Sequence, residues 1–225
     1  MSADLEGVVD QIPPGHGAIG LLSSDEFMPV AEPFDRALLE VTGPRVALIL
    51  AAHPPGAPHS ARLGLAHYRR LGADPVILDV LHRKDARAEA LPAFDVLFLA
   101  GGDPNALLTC LGDTPLWDEA LRRWAGGASL AGSSAGAMAL CRHSLVPQPG
   151  DRRPTRWTNG LGPIERFALA VHAKGAPKQW LAAITAEAPV PVVALDDGVG
   201  LVLRADASVT AAGEGRARVV ERGAS

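Results

Sequence analysis

The stretch Ser129–Leu140, SLAGSSAGAMAL, decides how the chain is read. A short apolar run, Ala128–Ala131, gives way to Gly132-Ser133-Ser134-Ala135-Gly136 and then to a helix-forming segment reaching Arg142. A serine between two glycines, with a strand before it and a helix after it, is the G-x-S-x-G nucleophile-elbow pattern. The turn is so sharp that side chains on its two flanks would collide, so glycines stand there. The helix presents its positive end to the serine, and the amide of Ala135 is placed to donate to an oxyanion. The competing reading of the same five residues is a closely packed glycine turn with no chemistry. The strand–helix context on both sides favours a nucleophile at Ser134.

Outward from this turn, apolar runs alternate with helical segments. Strands are expected at Gly17–Leu22, Arg45–Ala51, Pro75–Val80, Asp95–Ala100 and Ala128–Ala131. Helices are expected at Glu32–Val41, His59–Leu71, Asn105–Leu111, Leu116–Trp124 and Ser134–Arg142, with a weakly helical segment running to Leu91. Such βαβα alternation predicts a mainly parallel sheet with helices on both faces, a three-layer α/β sandwich. Gln148–Asn159, with two prolines and three arginines, reads as a long surface loop. Beyond it come a strand at Phe167–Val171, a helix at Ala176–Ala186, and β structure at Pro191–Leu195, Val199–Leu203 and Ala217–Val220. No linker or repeat interrupts the 225 residues, so one domain is expected over 1–225.

Composition narrows the function. The chain is 48% hydrophobic and 20% charged, with a net charge of −4 and a pI near 6.0. It has no basic footprint for nucleic acid, and no apolar run approaches the ~20 residues of a membrane helix. The opening residues lack the basic and apolar regions of a secretory signal, and only Cys110 and Cys141 are present, so a reducing cytoplasm is the expected compartment. There is no HExxH, CxxC or P-loop pattern, so neither metal nor cofactor is expected.

A serine nucleophile needs a base. His53 and His172 each follow an apolar run, at the strand edge where sites collect in open α/β sheets. His143, nine residues beyond Ser134 on the expected helix, would be roughly 13 Å away along its axis. His59, His67 and His82 fit a packed or solvated face, and His16 falls in a loop. The orienting acid could be Asp151, Asp196 or Asp197. A second turn, AGGDPNALL (Ala100–Leu108), ends a strand and opens a helix, with Asp103 as N-cap and Pro104 at the first helical position. Its glycines can offer a second oxyanion amide without side-chain obstruction. Asp103, Asn105, Arg152 and Arg156 are candidates for substrate contact, and Arg153 belongs to the same basic loop.

Four segments in order resemble the peptidase E and cyanophycinase family of serine peptidases: AGGDPNALL, GSSAGAMAL (Gly132–Leu140), NGLGPIERFALAVH (Asn159–His172) and ALDDGVGLVLR (Ala194–Arg204). The resemblance covers about Gly17 to Gly215. It implies a flavodoxin-like core related to class I glutamine amidotransferases, whose elbow holds a cysteine where this chain has Ser134. It places the nucleophile on Ser134, the base on His172, the oxyanion amides on Gly102 (or Gly101) and Ala135, and the acid on Asp151, with Asp197 as the alternate. Two departures from the family pattern stand out: Ala173 where an aromatic residue usually follows the histidine, and Asp196-Asp197 where an Asp-Glu pair is common. The implied activity is hydrolysis of short peptides, by a dipeptidase or carboxypeptidase mode, in a chain compatible with homo-oligomerisation. Two rivals share the serine turn. One is a ligand-binding protein that kept the fold without turnover. The other is a small-ester hydrolase, which would call for an HGGG-type turn where this chain has AGGDPN.

Overall fold

Five short, largely apolar runs form the parallel heart of the molecule. In the computed structural model, which describes residues 5, 7–8, 12–53 and 58–220, they are β1 (Ile19–Leu22), β2 (Arg45–Ile49), β3 (Asp74–Leu78), β4 (Val96–Leu99) and β5 (Ser129–Ser133). Between them run α1 (Glu32–Thr42), α2 (Pro58–Arg70), α3 (Pro104–Leu111) and α4 (Pro115–Ala125). The second half adds α5 (Ala135–Ala139), β6 (His143–Val146), β7 (Arg156–Asn159), β8 (Ala168–Ala170), α6 (Lys178–Ala186), β9 (Val192–Leu195), β10 (Gly200–Leu203), β11 (Val209–Ala212) and β12 (Ala217–Val220).

The main sheet has the order β11-β10-β1-β5-β4-β2-β3. Its five central and outer members on one side are parallel, while β10 and β11 extend it antiparallel beyond β1. Alternate residues of each strand point to opposite faces. Leu48 and Phe98 pack with Phe34 and Leu38 of α1 and Tyr68 of α2 on one face. Ile49, Leu97 and Leu99 pack with Leu107 of α3 and Trp117 of α4 on the other. Burial on both faces explains the uninterrupted apolar runs, and the result is the expected flavodoxin-like sandwich. A separate sheet, β12-β9-β8, shares the second of these cores.

Several boundaries differ from the sequence reading. The helix after Ser134 stops at Ala139 rather than Arg142, because Cys141 bridges to Ile164 and the Arg142 amide donates to the Ile164 carbonyl at 2.6 Å. Tertiary pairing therefore overrides the local helical preference. The expected loop 148–159 ends as a strand, β7, paired with β6. The weakly helical stretch before Leu91 forms two short 3-10 turns, Arg83–Asp85 and Ala88–Ala90. Strand β11, half-exposed and built from VTAA, carries too weak an alternation to be read in advance. The chain's first residues, read as lacking a targeting signal, fall largely outside the described part. No described helix is long and apolar enough to cross a membrane.

A buried polar cluster joins α1 to α2. Asp35 accepts from the Tyr68 hydroxyl at 2.8 Å and pairs with His67 Nε2 at 2.8 Å, and the Asp35 and His67 side chains are each 2% exposed. Burial, with Asp35 alongside, pushes the Tyr68 hydroxyl well above its ordinary range. Removing one member strands the others without partners, which is costly in a dry interior. Asp35→Ala is expected to lower the unfolding free energy by about 3 kcal/mol, read by urea denaturation.

Candidate active site

The elbow forms because the backbone approaches itself too closely for side chains. A Cβ on Gly132 would lie 2.5 Å from the Gly136 carbonyl carbon, and one on Gly136 would lie 2.0 Å from the Leu99 carbonyl oxygen. Ser134 sits between them at φ 49° and ψ −112°, a strained conformation for a residue with a side chain. Its amide donates to Leu22 O at 2.9 Å, which ties the turn to β1. Helix α5 has only five residues. What it contributes locally is the amide of Ala135, more than a long aligned dipole.

His172 and Asp197 arrive from the smaller sheet. Strands β8 and β9 are parallel, with Ala170 opposite Ala194. Both chains leave the sheet at the same edge, His172 two residues past β8 and Asp197 two past β9. Ser134 Oγ stands 3.1 Å from His172 Nε2, and His172 Nδ1 stands 2.8 Å from Asp197 Oδ1. A carboxylate can only accept, so Nδ1 carries the proton and Nε2 is left to accept from the serine. His172 also has positive φ, 54°. Its amide donates to Ser23 Oγ at 3.0 Å, and that hydroxyl donates to Leu195 O at 3.0 Å. Ser24 Oγ accepts the Gly198 amide at 2.9 Å, fixing the turn that carries Asp197.

Asp151 is not the partner of His172. Its carboxylate accepts the Gln148 amide at 3.1 Å and the Thr155 hydroxyl, closing the loop between β6 and β7. It lines the cavity wall but is taken up by its own loop. Asp196 faces away, accepting from the Arg216 amide and from Arg218 Nη1 at 2.9 Å. His53, the other candidate base, lies 4.0 Å from Glu26 and approaches Ser60, outside the relay. His143 opens β6, so the argument from a shared helix does not apply to it, and it does not line the cavity. His67 is the buried partner of Asp35 described above.

Ser134, His172 and Asp197 open onto a cavity of about 660 Å³. Gly102 lines it, at φ 125°, and a Cβ there would meet Ala52 O at 2.3 Å. The Gly101 amide is occupied, donating to Glu26 Oε1 at 2.9 Å. Among the described residues, the amides of Gly102 and Ala135 have no hydrogen-bond acceptor. Gly102 rather than Gly101 is thus the available donor of this turn.

Of the candidate substrate contacts, Arg152 lines the cavity together with Arg153 and Lys174. Arg153 is held in place, donating to His172 O at 3.1 Å and lying 5.0 Å above the Trp180 ring. Arg156 is exposed on β7 and does not line the cavity, and neither do Asp103 and Asn105. Asp103 caps α3 by accepting the Asn105 amide at 2.8 Å, and Asn105 donates from its side chain to Pro147 O. Sequence reasoning missed Ser23, Ser24 and Glu26. The available signal was the polar SSDE immediately after the apolar run of β1, at the sheet edge where the other site loops emerge. Cys110 and Cys141 are buried, and burial pushes the Cys110 thiol up, so a thiolate nucleophile is disfavoured. Among the described residues, no cluster of three His, Cys, Asp or Glu side chains is placed to hold a metal ion.

A serine bonded to an imidazole that is itself bonded to a carboxylate, at the carboxyl edge of a parallel sheet, defines the class of serine hydrolases. The model of peptidase family S51 matches residues 21–210, and the chain belongs to that family. It is 27% identical over 166 residues to the cyanophycinases of Trichormus variabilis and of a Nostoc strain, a match covering 68% of this chain and 56% of each relative. The chain thus spans little more than half the length of those relatives. The crystal structure of a peptidase from an acI-B1 Actinobacterium superposes with a TM-score of 0.76 at 28% identity, covering 92% of this chain and 95% of that one. A protein from Listeria monocytogenes EGD-e shares the fold at 21% identity, TM-score 0.67, over 89% of this chain and all of that one.

The geometry separates the candidate acids. Asp197→Asn is expected to lower kcat by about 10³-fold or more, since the amide would favour the wrong imidazole tautomer. Asp151→Asn should leave kcat near the wild-type value. Steady-state hydrolysis by the two purified variants checks both.

Proposed function

We propose that this protein is a serine exopeptidase that hydrolyses short peptides through an acyl-enzyme on Ser134. The observation that carries the reading is the continuous relay from Ser134 through His172 to Asp197. Ser134 Oγ attacks the scissile carbonyl while His172 Nε2 takes its proton. The carbonyl oxygen becomes an oxyanion, received by the amides of Gly102 and Ala135. The intermediate collapses as His172 returns the proton to the leaving amine, and the first product departs. Water then repeats the sequence on the ester, with His172 again as base, releasing the acid and restoring the serine. Asp197 holds the imidazole in its tautomer and stabilises the imidazolium.

The cavity supports a short substrate bearing a carboxylate. Arg152, Arg153 and Lys174 line it. The carboxylates on the same wall, Asp151 and Asp197, are engaged by Thr155 and His172. The net positive character of that wall suits an acidic side chain or a free peptide C-terminus. Arg153, fixed by its bond to His172 O and by Trp180, presents a preorganised guanidinium. A cytoplasmic location, with the two thiols kept reduced, fits this reading.

A fluorophosphonate is expected to add once to the wild-type protein and not at all to Ser134→Ala, read by intact mass. An unlabelled, folded wild type would overturn the proposal in favour of a binding protein. Hydrogen bonds to charged groups are worth about 1.5–3 kcal/mol. Capping the recognised substrate carboxylate as an amide is therefore expected to lower kcat/KM by roughly 10- to 100-fold, measured on matched free and capped short peptides.

A further inference from the structure

We propose that Glu26 is a positioning residue for the reaction, clamping together the two backbone segments that supply the oxyanion donors. This rests on the reading of Gly102 and Ala135 as those donors. Strands β4 and β5 pair only as far as Leu99 and Gly132. Beyond that register no ladder bond holds their continuations together, and the continuations are the parts that carry the chemistry. Glu26 takes over there. Its Oε1 accepts the Gly101 amide at 2.9 Å and its Oε2 accepts the Ser133 hydroxyl at 2.8 Å. One carboxylate thereby grips the residue before Gly102 and the residue before Ser134.

The clamp is tight and shielded. The Glu26 side chain is 16% exposed, and Ser133 is fully buried. A Cβ on Gly101 would lie 2.8 Å from Glu26 Oε1 and 3.1 Å from Ser134 Cβ, so nothing larger than glycine fits between carboxylate and nucleophile. On the far side of the same turn, the Asp103 amide donates to Ala52 O at 2.8 Å. The Gly102 peptide is therefore held from both ends. The chain also distorts itself to aim this side chain: Asp25 and Phe27, on either side of Glu26, both adopt positive φ, 61° and 68°. Such strain persists only where the surroundings enforce it, and it gathers at functional sites.

The contribution is geometric. A negative group beside a developing oxyanion is unfavourable by Coulomb's law, so direct electrostatic assistance is not its role. Nor is it a base for Ser134, whose hydroxyl is bonded to His172. What the carboxylate provides is two charge-assisted hydrogen bonds, a class roughly twice as strong as neutral ones. A misplacement of about 1 Å at such a site costs on the order of 100-fold in rate.

The test is fluorophosphonate inactivation resolved into kinact and KI, for wild type, Glu26→Ala, Glu26→Gln and Ser133→Ala, with melting temperatures alongside. Glu26→Ala is expected to lower kinact about 100-fold with KI little changed. Glu26→Gln still offers Gly101 an acceptor and fills the same space, so it is expected to recover to within about tenfold of wild type. Ser133→Ala should fall between them, and it keeps the role testable if Glu26→Ala does not fold. Glu26→Ala at the wild-type kinact, or with KI and melting temperature moving while kinact stays, would overturn this role alone. So would Glu26→Gln as slow as Glu26→Ala in a protein of unchanged stability. Absence of labelling in wild type would overturn the serine-hydrolase reading and this role with it.

Discussion

The hydroxyl of Ser23 pins together two sheets that carry different parts of the proposed relay. Ser134, the proposed nucleophile, follows a strand of the seven-stranded sheet, whereas His172 and Asp197 follow strands of the three-stranded one. Apolar packing joins the two sheets, but such contacts are non-directional and do not define a separation to a fraction of an ångström. Ser23 does define it, accepting from the His172 amide and donating to the Leu195 carbonyl, one contact on each of the strand ends that deliver the site. It can reach both because β1 lies beside β5, with Leu22 level with Ser133. The first strand of the chain thus sets the spacing between parts contributed more than a hundred residues later.

Strain is distributed along the same seam. Ser134 and His172 both occupy the region of positive φ that glycine tolerates best, yet in the proposed mechanism neither can be glycine, because each side chain takes part in the proton transfer. Their backbones are held by hydrogen bonds on either side. The Ser134 amide is bound by Leu22, the His172 amide by Ser23, and the Ala173 amide by Leu195. The small Ala173 is 3% exposed and lies within the core, so the aromatic position of the family pattern is filled here by a methyl group packed under the histidine's turn.

Much of this was legible in the sequence, for reasons that differ by element. The parallel strands announced themselves because burial on both faces leaves uninterrupted apolar runs such as RVALI. The elbow was legible because close backbone approach forces glycine at positions 132 and 136, and the structure shows the contacts that force it. The acid was not. Asp151 and Asp197 are both aspartates in turns, and which one reaches His172 depends on β8 and β9 lying side by side and parallel. That pairing joins segments separated by a helix and has no local signature. Just past β9 the chain turns, with Asp196 bonded to Arg218 and Asp197 to His172. His143 shows the opposite error, where a locally plausible helix was cut short by a distant partner, Ile164. Glu26 stayed hidden because one carboxylate among many in a polar loop looks solvated until the Gly101 amide and the Ser133 hydroxyl are placed beside it.

The hairpin β6–β7 is buried along β6, and its turn is bonded to the rest of the protein by Arg153 to His172 O, Trp180 to Pro154 O and Asn105 to Pro147 O. The turn lines the cavity and is closed on itself by Asp151 and Thr155. Its exposed turn residues, such as Arg152, lie outside both of the larger sheets. In the proposed reading, selectivity and reactivity sit in separable pieces of the chain, and a laboratory or a lineage seeking a new substrate has the turn between β6 and β7 as a place to begin.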